Sequence, residues 1–295
     1  HLYPDKTKLI RSQNQGAGSA RNKGMDAAQG KYLLFLDADD YFDEKLAERL
    51  YLSCEQNQSQ LSVCKARGFF SEDGPFEDLW YAFREDFMPQ TDTFNYKEYA
   101  DYIFTMFLGW AWDKMFLHSF VVEQKLRFQE LRSSNDLYFV FMALVSADKI
   151  SLVRESLVNY RMSNANSLHN TREKSWDCFY IANTALKKAL VEKGVYETVK
   201  KAYLNWSADY IYSQLRSLPA APALEKSYAL LKQSGLKEIG ILEENKEYYY
   251  FKDGYRFCQF ISKHTYQEYV IYRSVRSSMA KVRRAFRKLL NKQYE

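Results

Sequence analysis

Apolar positions along this chain follow two different periods, and the change from one to the other divides it. Tyr32-Leu33-Leu34-Phe35-Leu36, Gln60 to Cys64, Trp112 to Leu117 and Ile150 to Tyr160 are short runs closed by polar turns, which predicts strands. Thr7 to Arg11 reads the same way. Between these runs, Asp43 to Cys54, Asn95 to Phe107 and Asn135 to Ala147 carry apolar residues three and four apart, the spacing of one helix face. Alternating strands and helices imply an α/β layer. After Asn170 the chain is mostly helix-forming: Glu173 to Lys193, Tyr196 to Leu218 and Ala223 to Gln233, with stops expected at Gly194, at Ser217-Leu218-Pro219 and at Gly235. The fold expected is thus an α/β domain over 1–170 and a mostly helical domain over 171–295. The cluster Tyr248-Tyr249-Tyr250-Phe251 is expected to pack between helices.

The run Tyr32 to Leu36 ends on Asp37-Ala38-Asp39-Asp40. Carboxylates gathered at one strand end repel one another unless a cation or several hydrogen-bond donors offset them. Two readings compete here: a polar turn with Asp43 capping the next helix, and a divalent-metal site. Just upstream, Asn14-Gln15-Gly16-Ala17-Gly18-Ser19-Ala20-Arg21-Asn22-Lys23-Gly24 opens a short helix that Gly30 closes. Ala20, Gly24, Ala27 and Ala28 let that helix lie close on a sheet, and Gly16, Gly18 and Ser19 suit an exposed helix N-terminus. Arg21 falls one helix length from the acidic strand end, where it can pair with a carboxylate or a phosphate. The glycine spacing matches neither a P-loop nor a dinucleotide fingerprint.

Taken together, Asn14 to Gly30 followed by Leu33-Leu34-Phe35-Leu36-Asp37-Ala38-Asp39-Asp40 resembles family 2 glycosyltransferases, inverting nucleotide-sugar enzymes of GT-A fold. A second block agrees: Trp112-Asp113-Lys114-Met115-Phe116, Leu126-Arg127-Phe128 and Asn135-Asp136-Leu137-Tyr138-Phe139, then Tyr160-Arg161 and Ser167-Leu168-His169. The resemblance implies transfer of a sugar from a nucleotide-diphosphate sugar, most commonly a UDP-sugar, to a hydroxyl of a glycan or lipid-linked acceptor. It implies Mn²⁺ or Mg²⁺ held by Asp39, with Asp40 in support and His169 as a further metal or diphosphate contact. Arg21, Asn22, Asp37 and Asp39 fall at donor-binding positions, Asp136 at that of the general base, and Trp112 and Lys114 beside the acceptor. Asn135 departs from the usual Glu of a Glu-Asp pair. The chain also starts at His1 where the resemblance leads one to expect two earlier strand-helix units, on the order of 60 residues, so the sequence reads as a fragment. Two rivals remain: a haloacid-dehalogenase-type phosphatase, which Tyr41 fits poorly, and a glycosyltransferase-like domain without activity.

Composition narrows the setting. Of 295 residues, 46% are hydrophobic and 27% charged, ordinary for a globular protein, while 17% aromatic content is high and suits sugar stacking and helix cores alike. Cys54, Cys64, Cys178 and Cys258 show no metal spacing, which fits a reduced, cytoplasmic setting. Eight of the 42 basic residues and one of the 37 acidic ones lie in 273–295, so this stretch carries +7 and the remainder −2. With Tyr272, Val275, Met279, Val282, Phe286 and Leu289 on one helical stripe, 273–292 is expected either to dock as a terminal helix or to lie on an anionic membrane, on the inner face of the cell membrane. Nucleic acid is not an expected partner, since the body is slightly acidic and shows no nucleic-acid module.

Overall fold

The computed structural model of the protein describes residues 4–71, 74–162, 168–219 and 222–276, apart from the side chains of Pro4 and 168–171. Among the described residues, strands β1 (Tyr32–Leu34), β2 (Tyr41–Phe42), β3 (Leu61–Phe69), β4 (Glu77–Asp78), β5 (Thr93–Phe94), β6 (Lys114–Leu117) and β7 (Ile150–Arg161) form one mixed sheet. Its main path is β1-β6-β3-β7-β2, with β4 paired to β3 and β5 to β7. Only β3 and β7 run parallel among these pairs. Leu61 to Cys64 at the start of β3 are buried on both sides, as a central strand requires.

Helices α1 (Ala17–Ala27), α2 (Leu46–Asn57), α3 (Ile103–Met106), α4 (His118–Glu123) and α5 (Leu137–Leu144) accompany the sheet. They are followed by α6 (Cys178–Glu192), α7 (Tyr196–Ser217), α8 (Pro222–Leu230), α9 (Leu236–Ile239) and α10 (Lys252–Lys263), and residues 266–276 are also helical. Helix α5 is apolar all round, and seven of its eight residues are buried. A helix of that kind needs cover on every side. The sheet side is supplied by Phe116 and Phe128 against Phe139, the other by Trp206 of α7, whose ring meets Phe141 at 4.8 Å and 82°. One buried apolar cluster accordingly runs from Met25 and Leu33 through α5 to Tyr269. The boundary near residue 170 marks a change of secondary structure; the core continues through it. The expected α/β layer with a helical region after it is present.

Several boundaries differ from the pattern read above. Residues 7–16 belong to no helix or strand, and Leu9 and Ile10 are exposed, because no described strand lies alongside to pair with them. Asn95 to Phe107 is not one helix: a 3₁₀ turn, Tyr96–Tyr99, precedes the single turn of α3. The stop expected at Gly235 is absent. The chain there forms a π turn, Leu231–Gly235, runs on into α9, and ends at Gly240 with φ 89°. Gly235 answers a packing need instead, since a Cβ would lie 3.2 Å from the Tyr180 ring. Tyr248 to Phe251 does pack between elements, but partly onto the sheet side: Tyr250 stacks near Tyr102 and its hydroxyl donates to the Asp101 carbonyl at 3.0 Å.

Two margins of the fold matter later. β1 lies at the end of the sheet path, and a trough of 460 Å³ opens beside it between α1 and residues 32–36. Of the basic tail, Arg273 is described: its guanidinium donates to the carbonyls of Arg216 and Leu218 and closes the C-terminal end of α7. The rest of the tail, from 277, lies outside the described residues. Among those described, no helix is long and apolar enough to cross a membrane.

Candidate active site

Three segments far apart in sequence meet at the acidic end of β1. Helix α1 approaches first, and its glycine is what permits the approach: a Cβ on Gly18 would stand 2.1 Å from the carbonyl oxygen of Gln129. One turn on, the Asn22 side chain exchanges two hydrogen bonds with the Phe128 backbone, donating at 2.9 Å and accepting at 3.0 Å. Asn22, placed at the donor by the resemblance, thus has both ends of its amide occupied in pinning 128–136 onto α1. Arg21 beside it donates to Asp37 Oδ1 at 2.5 Å and to Asn135 Oδ1 at 2.8 Å. One guanidinium therefore holds the strand end and the start of α5 together. Asn135 keeps the acceptor oxygen that a Glu would offer but brings no charge, leaving the arginine's charge to Asp37 and to Asp136.

Asp37, Asp39 and Asp40 converge, with one oxygen of each within 4.8 Å of the others. Asp37 is half-buried, Asp39 exposed and Asp40 buried. Burial is the main force lifting the Asp40 carboxyl to about 6; the Arg161 N–H, donated to Asp40 Oδ1 at 2.9 Å, opposes it, and the charges of Asp39 and Asp37 add to it. Arg161 also donates from Nε to the Asp39 carbonyl at 3.1 Å and from an Nη to the Tyr41 hydroxyl at 2.9 Å. β2 and β7 bring these groups together by pairing Tyr41 with Asn159 and Phe42 with Val158. Asp43, the expected helix cap, accepts from the Lys45 N–H at 2.9 Å just ahead of α2. The turn reading and the cation reading thus fall on different residues. The cluster's carboxylate oxygens are hard donors, suited to Mg²⁺ or Mn²⁺. His169 has its side chain outside the description.

Asp136 stands where α5 begins. It makes no side-chain cap bond, so its carboxylate is not consumed by the helix. Burial raises it to about 6, opposed chiefly by Arg21, with Asp37 raising it further. The turn before it is held from the helical region. Ser134 has φ 60°, unusual for a residue with a side chain, and its hydroxyl lies 2.6 Å from the Tyr210 hydroxyl of α7. Tyr210 in turn stacks on Trp206 at 5.1 Å and 17°.

On the other flank, Trp112 belongs to a triangle of rings: Trp110 stacks on it at 4.5 Å, Tyr160 lies 5.8 Å from it, and Trp110 and Tyr160 are 5.4 Å apart. At 4% exposure it offers little face to a ligand, and the half-buried Trp110 is the ring nearer solvent. Lys114, expected to border the acceptor, is instead completely buried. Its ammonium donates to Asp113 Oδ1 at 2.6 Å and to the carbonyls of Leu108 and Trp110 at 3.1 and 2.9 Å. It fixes the loop that carries the two tryptophans. Arg161, Ser134, Tyr210 and Trp110 were not among the expected site residues. Only Arg161 carried a signal, as the second residue of the Tyr160-Arg161 pair.

Residues 1–113 match the family model described as Glycosyl transferase family 2. A putative glycosyltransferase, EpsH, of Bacillus subtilis (strain 168) is 28% identical over 177 residues, covering 58% of this chain and 48% of EpsH. The cholesterol galactosyltransferase of Borreliella burgdorferi is 23% identical over 265 residues, covering 85% of this chain and 71% of that protein. Among solved structures, S. aureus TarS 1–349 in complex with UDP-GlcNAc superposes with TM-score 0.49 at 16% identity, covering 89% of this chain and 76% of that one. The chain spans about half the length of the first curated relatives it matches, 48% and 46%.

Proposed function

We propose that this chain, whose residues 1–113 match the model of glycosyl transferase family 2, is a glycosyltransferase that moves a sugar from a nucleotide-diphosphate donor, a UDP-sugar in the first instance, to a hydroxyl of a glycan or lipid-linked acceptor in surface polysaccharide synthesis, with inversion. One observation carries the reading. Arg21 ties Asp37 of the acidic cluster to Asn135, so that Asp136 follows directly beside the place where a donor diphosphate and its cation would sit.

Asp39, with Asp40 in support, would hold Mn²⁺ or Mg²⁺, which supplies Lewis-acid stabilisation of the leaving diphosphate. Asp37 is placed for the donor's ribose or for a cation-bound water. Arg21 keeps the two halves of the site in register. Asp136 takes the proton of the acceptor hydroxyl as that oxygen attacks the anomeric carbon from the face opposite the diphosphate. A carboxyl titrating near 6 is a stronger base than one near 3.9 and is still mostly ionised at pH 7. Trp110, over Trp112 and Tyr160, borders the acceptor side. We place the enzyme in the cytoplasm, where the basic tail 273–292 would bring it to the inner membrane face.

Calorimetry of UDP with Mn²⁺, together with UDP release from a panel of UDP-sugars, tests this. Binding is expected to need Mn²⁺ and Asp39, and release to need Asp136. Binding without Mn²⁺ dependence, or release undiminished in Asp136→Asn, overturns it.

A further inference from the structure

Lys65, Arg67 and Phe69 alternate along one face of β3, and their neighbours turn that face into a run of rings and charges leading away from the acidic cluster. At the near end Phe69 stacks on Tyr41 at 5.4 Å and 15°, with the Arg161 guanidinium 5.1 and 5.0 Å from the Tyr41 and Phe69 rings. Phe69 next meets Phe76 at 5.4 Å, and Arg67 lies 5.3 Å over Phe76. At the far end Trp80 borders a cavity of 190 Å³ whose walls include Lys65, Asp78, Glu85 and Asp86. From Phe69 to Lys65 is about 13 Å of strand at ~3.3 Å per residue.

The rings are exposed and yet held. Tyr41, Phe76 and Trp80 are 43%, 44% and 67% accessible, and they follow one line along the sheet face. Trp80 meets Tyr81 edge-to-face at 5.8 Å, and Arg84 stands 5.4 Å from its ring, so its plane is fixed before anything binds.

We propose that this face is a saccharide-binding groove that holds the part of an acceptor glycan behind its reacting hydroxyl. The proposal rests on the glycosyltransferase reading above. Pyranose rings present C–H faces that suit the electron-rich faces of Tyr41, Phe76 and Trp80, and hydroxyl edges that suit carboxylates and guanidinium groups. The Trp80 cavity has polar walls, with Lys65, Asp78, Glu85 and Asp86 at hand to meet the hydroxyls of one sugar ring. Its continuity with the cluster supports the same occupant: Asp40 and Tyr41 are adjacent, and Arg161 touches both. A protein partner fits less well, because each of these three rings has a guanidinium beside it: Arg161 at Tyr41, Arg67 at Phe76 and Arg84 at Trp80.

An array of neutral and anionic bacterial oligosaccharides, probed with the chain, with Trp80→Ala and with Phe76→Ala, tests the groove. At least one saccharide class should retain the chain, and each substitution should weaken retention about tenfold, the scale of losing a stacking aromatic. Thermal melting and UDP–Mn²⁺ affinity should not change. Equal retention by all three proteins, or no retained saccharide, overturns the proposal. So does self-association that Trp80→Ala abolishes, which would give the face to a second copy. Saccharides retained in a Trp80-dependent way by a chain that binds no UDP would leave the groove standing and remove the donor reading.

Discussion

Two parts of this molecule are built around carboxylates, and they treat them in opposite ways. Asp113 is fully buried against the Lys114 ammonium at 2.6 Å, and that ammonium is further satisfied by two backbone carbonyls. Asp37, Asp39 and Asp40 crowd together with one oxygen of each within 4.8 Å of the others, and Asp136 sits half-buried with Arg21 as its main counterweight. Where the chain supplies its own cation, the carboxylate serves the scaffold. Where carboxylates face one another instead, a cation from outside the chain can complete the cluster, while burial lifts Asp40 and Asp136 to about 6.

The comparison breaks most visibly by removing the scaffold's cation. Lys114→Met should cost about 3–5 kcal/mol, because it strands the Asp113 charge in the core. Urea denaturation measures this, and a stability within 1 kcal/mol of the parent chain would mean that the pair is not the anchor described. On the open side, Asp136→Asn should leave stability nearly unchanged while lowering turnover about a hundredfold or more, the scale of losing a general base. Asp39→Asn should weaken Mn²⁺-dependent UDP binding by at least about tenfold, above the lower end for losing an outer partner of a metal ligand. Unchanged affinity in calorimetry would take Asp39 out of the cation's shell.

The pH dependence sharpens the contrast further. Asp136 must be ionised to accept a proton, so turnover should fall about tenfold per unit below its value of about 6 and level off above it. UDP–Mn²⁺ affinity followed over the same range separates this from titration of Asp40. For stability the sign runs the other way. Asp40 holds its proton more tightly folded than unfolded, so stability falls as pH rises from roughly 4 to 6 and is flat above that. The smallest effect concerns the support of Asp136. Tyr210→Phe removes the hydroxyl at Ser134, at about 1 kcal/mol for one hydrogen bond. It should shift the turnover pH profile more than it shifts melting, and a melting change without a profile change would make Tyr210 a packing residue only.

How far these arrangements could be read from the sequence depended on the range of the interactions involved. The acidic end of β1 was legible because an apolar run stopping on carboxylates is a local signal. The close lie of α1 was legible from its small residues. The bond between Asn22 and Phe128 crosses 106 positions and left no trace in spacing. Lys114 misled because lysine is almost never fully buried, so its place in a motif read as exposure. Thr7 to Arg11 had the pattern of a strand, yet a strand exists only where a neighbour accepts its hydrogen bonds. Gly235 was read as a stop when its missing side chain makes room for Tyr180.

The trough beside β1 has a practical consequence for handling the protein. Among the described residues β1 pairs on one side only, with β6, so its other side carries backbone groups open to a further strand beside apolar walls. A tag or fusion is best kept away from this margin. Gly24, at which a Cβ would meet no atom within 4 Å, is a position at which a probe can be attached to report whether the trough is covered.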